Sequence, residues 1–215
     1  MISERSSWLW RARRIQPLPV LIAAVAVALA ALGRDGLAAL AWQRAAIESG
    51  EAWRLVSGQL VHLGIGHLLL NLAALAAAMA LFTGFRARDW AGSFACSGLA
   101  VAAGLWWASP GLAWYAGLSG ALHGVYVAGA VAWLWQGERG GWLLAAGLVA
   151  KLAWEAWAGP SALSETLTGG VVVTAAHLYG ALGGLAWGVA GRPGGAGYND
   201  GPAARDSSPG HDNAS

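Results

Sequence analysis

Charged residues make up only 11% of the 215-residue sequence, less than half of the roughly 25% usual in soluble domains. A chain so poor in charge, and 57% hydrophobic, cannot face water all round. That excludes a soluble globular protein and leaves a polytopic membrane protein. Cysteine is nearly absent: with Cys96 alone, no disulfide closes within the chain and no cysteine-type zinc site forms. No His-Glu-x-x-His pattern occurs, which leaves the histidines without that metal-binding arrangement. Acidic residues are missing near His62 and His67, and no inverted repeat of broken helices is visible, which speaks against an ion or metal carrier. The net charge of +2 is spread over segment ends rather than one basic face, so no nucleic-acid partner is implied.

What the sequence has in quantity is glycine, 32 residues, and tryptophan, 14. A basic stretch, residues 1–16, carries Arg5, Arg11, Arg13 and Arg14 beside Trp8 and Trp10 and suits a membrane surface. The first of six apolar segments follows, Pro17 to Leu32. Its Ala28-Leu29-Ala30 end looks like a cleavage site, but the segments that follow favour a retained helix. Residues 33–54 read as a polar outward loop ending in Trp53-Arg54, with Leu37 to Trp42 apolar enough to lie in the interface. The remaining segments run from Leu55 to Phe85, Trp90 to Ala108, Ala121 to Trp135, Trp142 to Trp157 and Val171 to Ala190. Residues 159–170 read as a loop, and residues 192–215 as a disordered cytoplasmic tail in which His211 takes no role. Arg5, Arg11, Arg13, Arg14, Arg86, Arg88, Arg139, Arg192 and Arg205 fall on the N-terminal side, against Arg34, Arg44 and Arg54 opposite. The excess of positive charge places both termini in the cytoplasm.

Polar groups inside apolar segments are costly and therefore usually functional. Ser119, in Gly117-Leu118-Ser119-Gly120, stands where the fourth helix begins, the usual place of a capping serine. His67 and Asn71 are four apart, so they share one helical face and can aim two neutral donors at one oxygen. His62 stands about 140° from His67 on a continuous helix and is read as fixing the loop above. In the sixth segment Ala176, Gly180, Gly184 and Gly188 form a small-residue stripe, matched in the fourth by Gly120, Gly124 and Ala128. If the stripes meet, His177 is carried towards Ser119. His123 shares the face of Ser119, while Lys151 and Glu155 can pair or contact a polar part of a substrate.

Trp53-Arg54, His62-x4-His67-x3-Asn71, Gly117-Leu118-Ser119-Gly120 and Ala176-His177-x2-Gly180, in this order, resemble the rhomboid intramembrane serine proteases over residues 17–191. Trp53-Arg54-Leu55, the run Gly117 to Gly124 and the polar fifth helix look most like the rhombosortase branch. That branch is associated with bacterial proteins bearing a C-terminal Gly-Gly sorting helix. The resemblance implies an all-α membrane protein, a six-transmembrane-helix rhomboid-like bundle in the bacterial inner membrane. Its partners would be lipid and single-pass membrane proteins, with neither cofactor nor metal.

The same resemblance implies Ser119 as nucleophile, His177 as base, and His67, Asn71 and the Ser119 N–H as oxyanion donors. Trp53, Arg54, His62, Gly117, Gly120 and Gly180 take structural or accessory places. No Asp or Glu adjoins His177 in the sixth segment, which fits a Ser-His dyad. Many rhomboids carry a tyrosine four residues after the serine, packed on the catalytic histidine. Here His123 stands there, to stack on His177 or compete as the base. The competing classes are an inactive rhomboid relative that binds membrane helices and a histidine-lined ion or metal carrier. Ser119 and His177 together favour the protease.

Overall fold

The computed structural model describes residues 16–193. The basic stretch of residues 1–15 and the tail from 194, with Arg205 and His211, lie outside the described residues, as do the expectations placed on them. Along the chain come α1 (Pro17–Ala30), α2 (Gly33–Leu40), β1 (Trp42–Gln43), α3 (Arg44–Glu48), α4 (Arg54–Ser57) and α5 (Ile65–Leu81). Then follow α6 (Ala87–Ala103), a π-helical turn (Gly104–Ala108), β2 (Trp114–Tyr115), α7 (Ser119–Trp135), α8 (Arg139–Ala158), α9 (Ala162–Thr168) and α10 (Thr174–Gly191).

The apolar segments fold as α1, α5, α6, α7, α8 and α10, the form that satisfies every backbone N–H and C=O without water. By length and apolarity alone, Ala87–Ala108 is the one helix among the described residues fit to cross a membrane; α1 and α2, bent by 115°, join it if counted as one span. α1 opens on Pro17, whose missing N–H costs nothing in a first turn.

Several boundaries differ from the sequence pattern. The second segment does not run unbroken from Leu55: α4 ends at Ser57 and α5 begins at Ile65. His62 therefore precedes the helix instead of standing part-way round it. The outward loop is built of short elements, α2, β1 and α3. The loop of residues 159–170 contains α9, capped by Ser161, whose hydroxyl accepts from the Ser164 N–H at 3.1 Å.

The small-residue stripes do meet. A β-carbon on Gly180 would lie 1.8 Å from the Gly120 carbonyl oxygen, and one on Gly184 1.9 Å from that of Gly124. α7 and α10 thus touch backbone to backbone, and α6 closes on them where Gly183 meets the Cys96 carbonyl. In lipid such contact is what holds helices together, because there is no water to expel between them. At the far end of α7 an aromatic cluster locks α5 to α6: Phe82 stacks on Phe85 at 5.2 Å, and Phe85 meets Trp90 edge-on at 5.4 Å. At the near end Trp42, Ile47, Val101, Leu105, Tyr115 and Ala176 form a second core beneath the serine loop. α8 is the outlier. It rests mainly on α7, Gly141 is its one buried residue, and Trp142, Leu143, Trp154 and Trp157 are exposed.

Candidate active site

Ser119 is the first residue of α7, yet it does not cap the helix. Leu118 takes the N-cap position and no side chain accepts a hydrogen bond there. The hydroxyl is left free of the helix end, and its Oγ stands 3.0 Å from Nε2 of His177.

The loop that delivers Ser119 is held from several directions. β2 pairs antiparallel with β1, Trp42 opposite Tyr115. The Gly117 N–H donates to the Gly58 carbonyl at 3.0 Å, and the Tyr115 hydroxyl donates to the Gly117 carbonyl at 2.5 Å. Burial pushes the Tyr115 pKa up, so the phenol stays a neutral donor. Gly117 has φ 128°, a conformation that favours glycine, and a β-carbon there would fall 2.6 Å from Cε1 of His67. Arg44 braces the opposite wall by donating to the carbonyls of Leu105 at 2.8 Å and Trp106 at 2.9 Å, freed by the π-helical turn. Neither residue stands out in the sequence: Tyr115 lies in no motif, and Arg44 is one charge among several in the outward loop.

His177 arrives on α10, one turn before the Gly180–Gly120 contact, and that contact sets its approach to Ser119. His123 stacks on its ring, centroids 4.1 Å apart and planes 15° apart. The His123 Nδ1 bonds to the Ser119 carbonyl at 2.7 Å. A carbonyl only accepts, so this nitrogen carries the hydrogen and ties His123 to its own helix. His177, not His123, reaches the hydroxyl.

A carboxylate does adjoin His177, contrary to the expectation from α10 alone. Oε2 of Glu155, on α8, lies 2.9 Å from the His177 Nδ1. Lys151 and Glu155 pair, and the second Glu155 oxygen is turned to His177 while Lys151 also lines a cavity beside Ser119.

His67 and Asn71 share the buried face of α5. The Leu63 N–H donates to the His67 Nδ1 at 3.4 Å, which leaves Nε2 as the hydrogen-bearing nitrogen. Asn71 donates one amide hydrogen to the His67 carbonyl at 3.2 Å and has a second in hand. Asn71, Ser119, His123 and Lys151 line one cavity of about 420 Å³, walled by α5 and α8 and floored by α7. His62 meets the edge of His67 at 5.1 Å, and burial followed by that neighbour holds its pKa down at about 4. It therefore stays neutral at pH 7. The Arg54 Nη1 donates to the carbonyls of Ala38 at 3.0 Å and Ala41 at 2.8 Å, while Trp53 is exposed. His123, Glu155 and His177 each also offer a potential metal-ligand atom, all within 4.8 Å of one another.

The sequence profile of the Rhomboid domain matches residues 49–193. The chain belongs to the rhomboid family. Rhomboids are membrane proteins, generally serine proteases acting on membrane-protein substrates within the bilayer, although inactive members exist. No curated protein matches this rhomboid.

Proposed function

We propose that this rhomboid is an intramembrane serine endopeptidase in which Ser119 is the nucleophile and His177 the base. The observation that carries it is the 3.0 Å approach of Ser119 Oγ to His177 Nε2 at the edge of the cavity. A hydroxyl attacks a peptide carbonyl only as a base takes its proton. The proton passes to Nε2 as Oγ bonds to the carbonyl carbon, and the carbonyl electron pair moves onto oxygen. His67, Asn71 and the Ser119 N–H supply hydrogen bonds to that oxyanion. Nε2 then returns the proton to the departing amine as the C–N bond breaks. Water, deprotonated in the same way, releases the acyl group and restores Ser119.

The substrate is a membrane-tethered protein cut at its C-terminal transmembrane helix, in the rhombosortase manner. Trp53-Arg54-Leu55 and the run Gly117 to Gly124 support that assignment. The lateral cavity suits a segment that is locally unwound, since peptide bonds inside an intact helix are shielded. α1, α5, α6, α7, α8 and α10 cross the bacterial inner membrane, with both termini in the cytoplasm and Ser119 near the outer side.

A fluorophosphonate probe, which reacts with activated serines, tests the assignment on purified full-length protein. Wild type labels; Ser119→Ala does not, and His177→Ala labels at least about 100-fold more slowly. Labelling that survives Ser119→Ala would overturn the proposal, as would a wild-type protein that never labels while remaining folded.

A further inference from the structure

Lys151 is the only lysine in the sequence, and it stands with Glu155 on a helix otherwise built, between Gly140 and Ala158, of apolar and small residues. Ionisable side chains on such a helix are expensive unless used. Neither side chain gives or takes a proton in the attack of Ser119. Their geometry does give them a task.

The Glu155 side chain is 12% exposed. One of its oxygens meets the His177 Nδ1 at 2.9 Å and the other is held by the Lys151 ammonium. A carboxylate only accepts, so Nδ1 of His177 carries the ring hydrogen. The lone pair is then on Nε2, 3.0 Å from the Ser119 hydroxyl, which is the tautomer a general base needs. The His123 ring, stacked at 4.1 Å, restrains the remaining tilt of the imidazole. Ser119, His177 and Glu155 come from α7, α10 and α8, and each joins the next by a single hydrogen bond.

We infer that Glu155 is a positioning residue that completes a Ser119–His177–Glu155 triad, with Lys151 as its anchor. The inference rests on Ser119 and His177 acting as nucleophile and base. Glu155 takes no proton at any step. Nδ1 keeps its hydrogen while Nε2 gains one from Ser119, and the carboxylate faces the imidazolium so formed. When Nε2 passes its proton to the leaving amine, the ring returns to the tautomer in which it began. Lys151 fixes the second oxygen, so the carboxylate cannot rotate away from the ring.

The test is the rate of fluorophosphonate labelling of the full chain in lipid nanodiscs, resolved into probe affinity and maximal rate. Glu155→Gln lowers the maximal rate by about 100- to 10,000-fold with probe affinity unchanged. Glu155→Asp regains part of the loss. In a His177→Ala background Glu155→Gln has no further effect, because a group that acts through the imidazole has nothing left to act on. A role in folding alone would still lower the rate there. The double variant Lys151→Met/Glu155→Gln removes the ammonium that Glu155→Gln leaves unpaired, and with it folding as a cause of the loss, and it stays as slow.

Wild-type labelling of Glu155→Gln, or of the double variant, overturns the triad while leaving the nucleophile intact, since Ser119→Ala alone judges the latter. A labelling rate that needs added Zn²⁺ and vanishes with a chelator also overturns it, by giving His123, Glu155 and His177 to a metal.

Discussion

His67 comes to the site with one ring nitrogen already engaged. Because the Leu63 N–H occupies Nδ1, the hydrogen sits on Nε2, on a ring packed against the Gly117 backbone. Asn71, one turn on, has an amide hydrogen to spare. Both are neutral donors, able to receive a negative oxygen without first losing a charge of their own. Replacing either by alanine is expected to lower the turnover of a membrane-tethered reporter by about 100- to 1000-fold. Its apparent affinity should hold steady, read from initial rates over a range of reporter density. An unchanged rate in both variants would place the oxyanion elsewhere. This pair was legible in the sequence because residues four apart lie on one helical face wherever the helix goes. The link from Glu155 to His177 was not legible. Spacing along α10 says nothing of what α8 brings alongside, and the only trace was an ionisable pair in an apolar run.

At the scale of the helices, one contact governs the others. Gly180 and Gly120 leave no room for a methyl group, so Gly180→Ala must push α10 off α7. The expected cost is about 1–3 kcal/mol, read as a lowered thermal midpoint in detergent. The labelling of Ser119 should fall as well, since the same displacement widens the gap between hydroxyl and imidazole. Full stability with full labelling would mean that the helices do not approach so closely. The stripes announced this contact, because a small residue at every fourth position has little other use on a helix in lipid. The start of α5 was hidden. Leu55, Leu60 and Val61 continue an apolar run, and nothing local reveals that Gly58 must clear the Trp42 backbone. The short helices of the outward loop were hidden for a like reason. Arg54 holds them by reaching carbonyls 13 and 16 residues away.

At the scale of the whole molecule, the scarcity of charge was enough to put the chain in a bilayer, and the bias of its arginines gives a direction. Alkaline phosphatase, active only outside the cytoplasm, reads that direction when fused at different points. A fusion within residues 159–170 is expected to be active, and fusions within residues 83–86 or after Gly191 silent. The reverse pattern would invert the protein and put Ser119 at the cytoplasmic face. Composition could not say how tightly each helix is held, and that is where the molecule is uneven. α7 and α10 are clasped by their backbones, whereas α8 leans on α7 with one buried residue.

Of the six apolar helices, the one with the fewest buried residues is also the one that carries the carboxylate. If Ser119, His177 and Glu155 act together as proposed, a guest that shifts α8 also shifts the carboxylate 2.9 Å from the imidazole, so the seating of that wall and the readiness of the base are tied to one another.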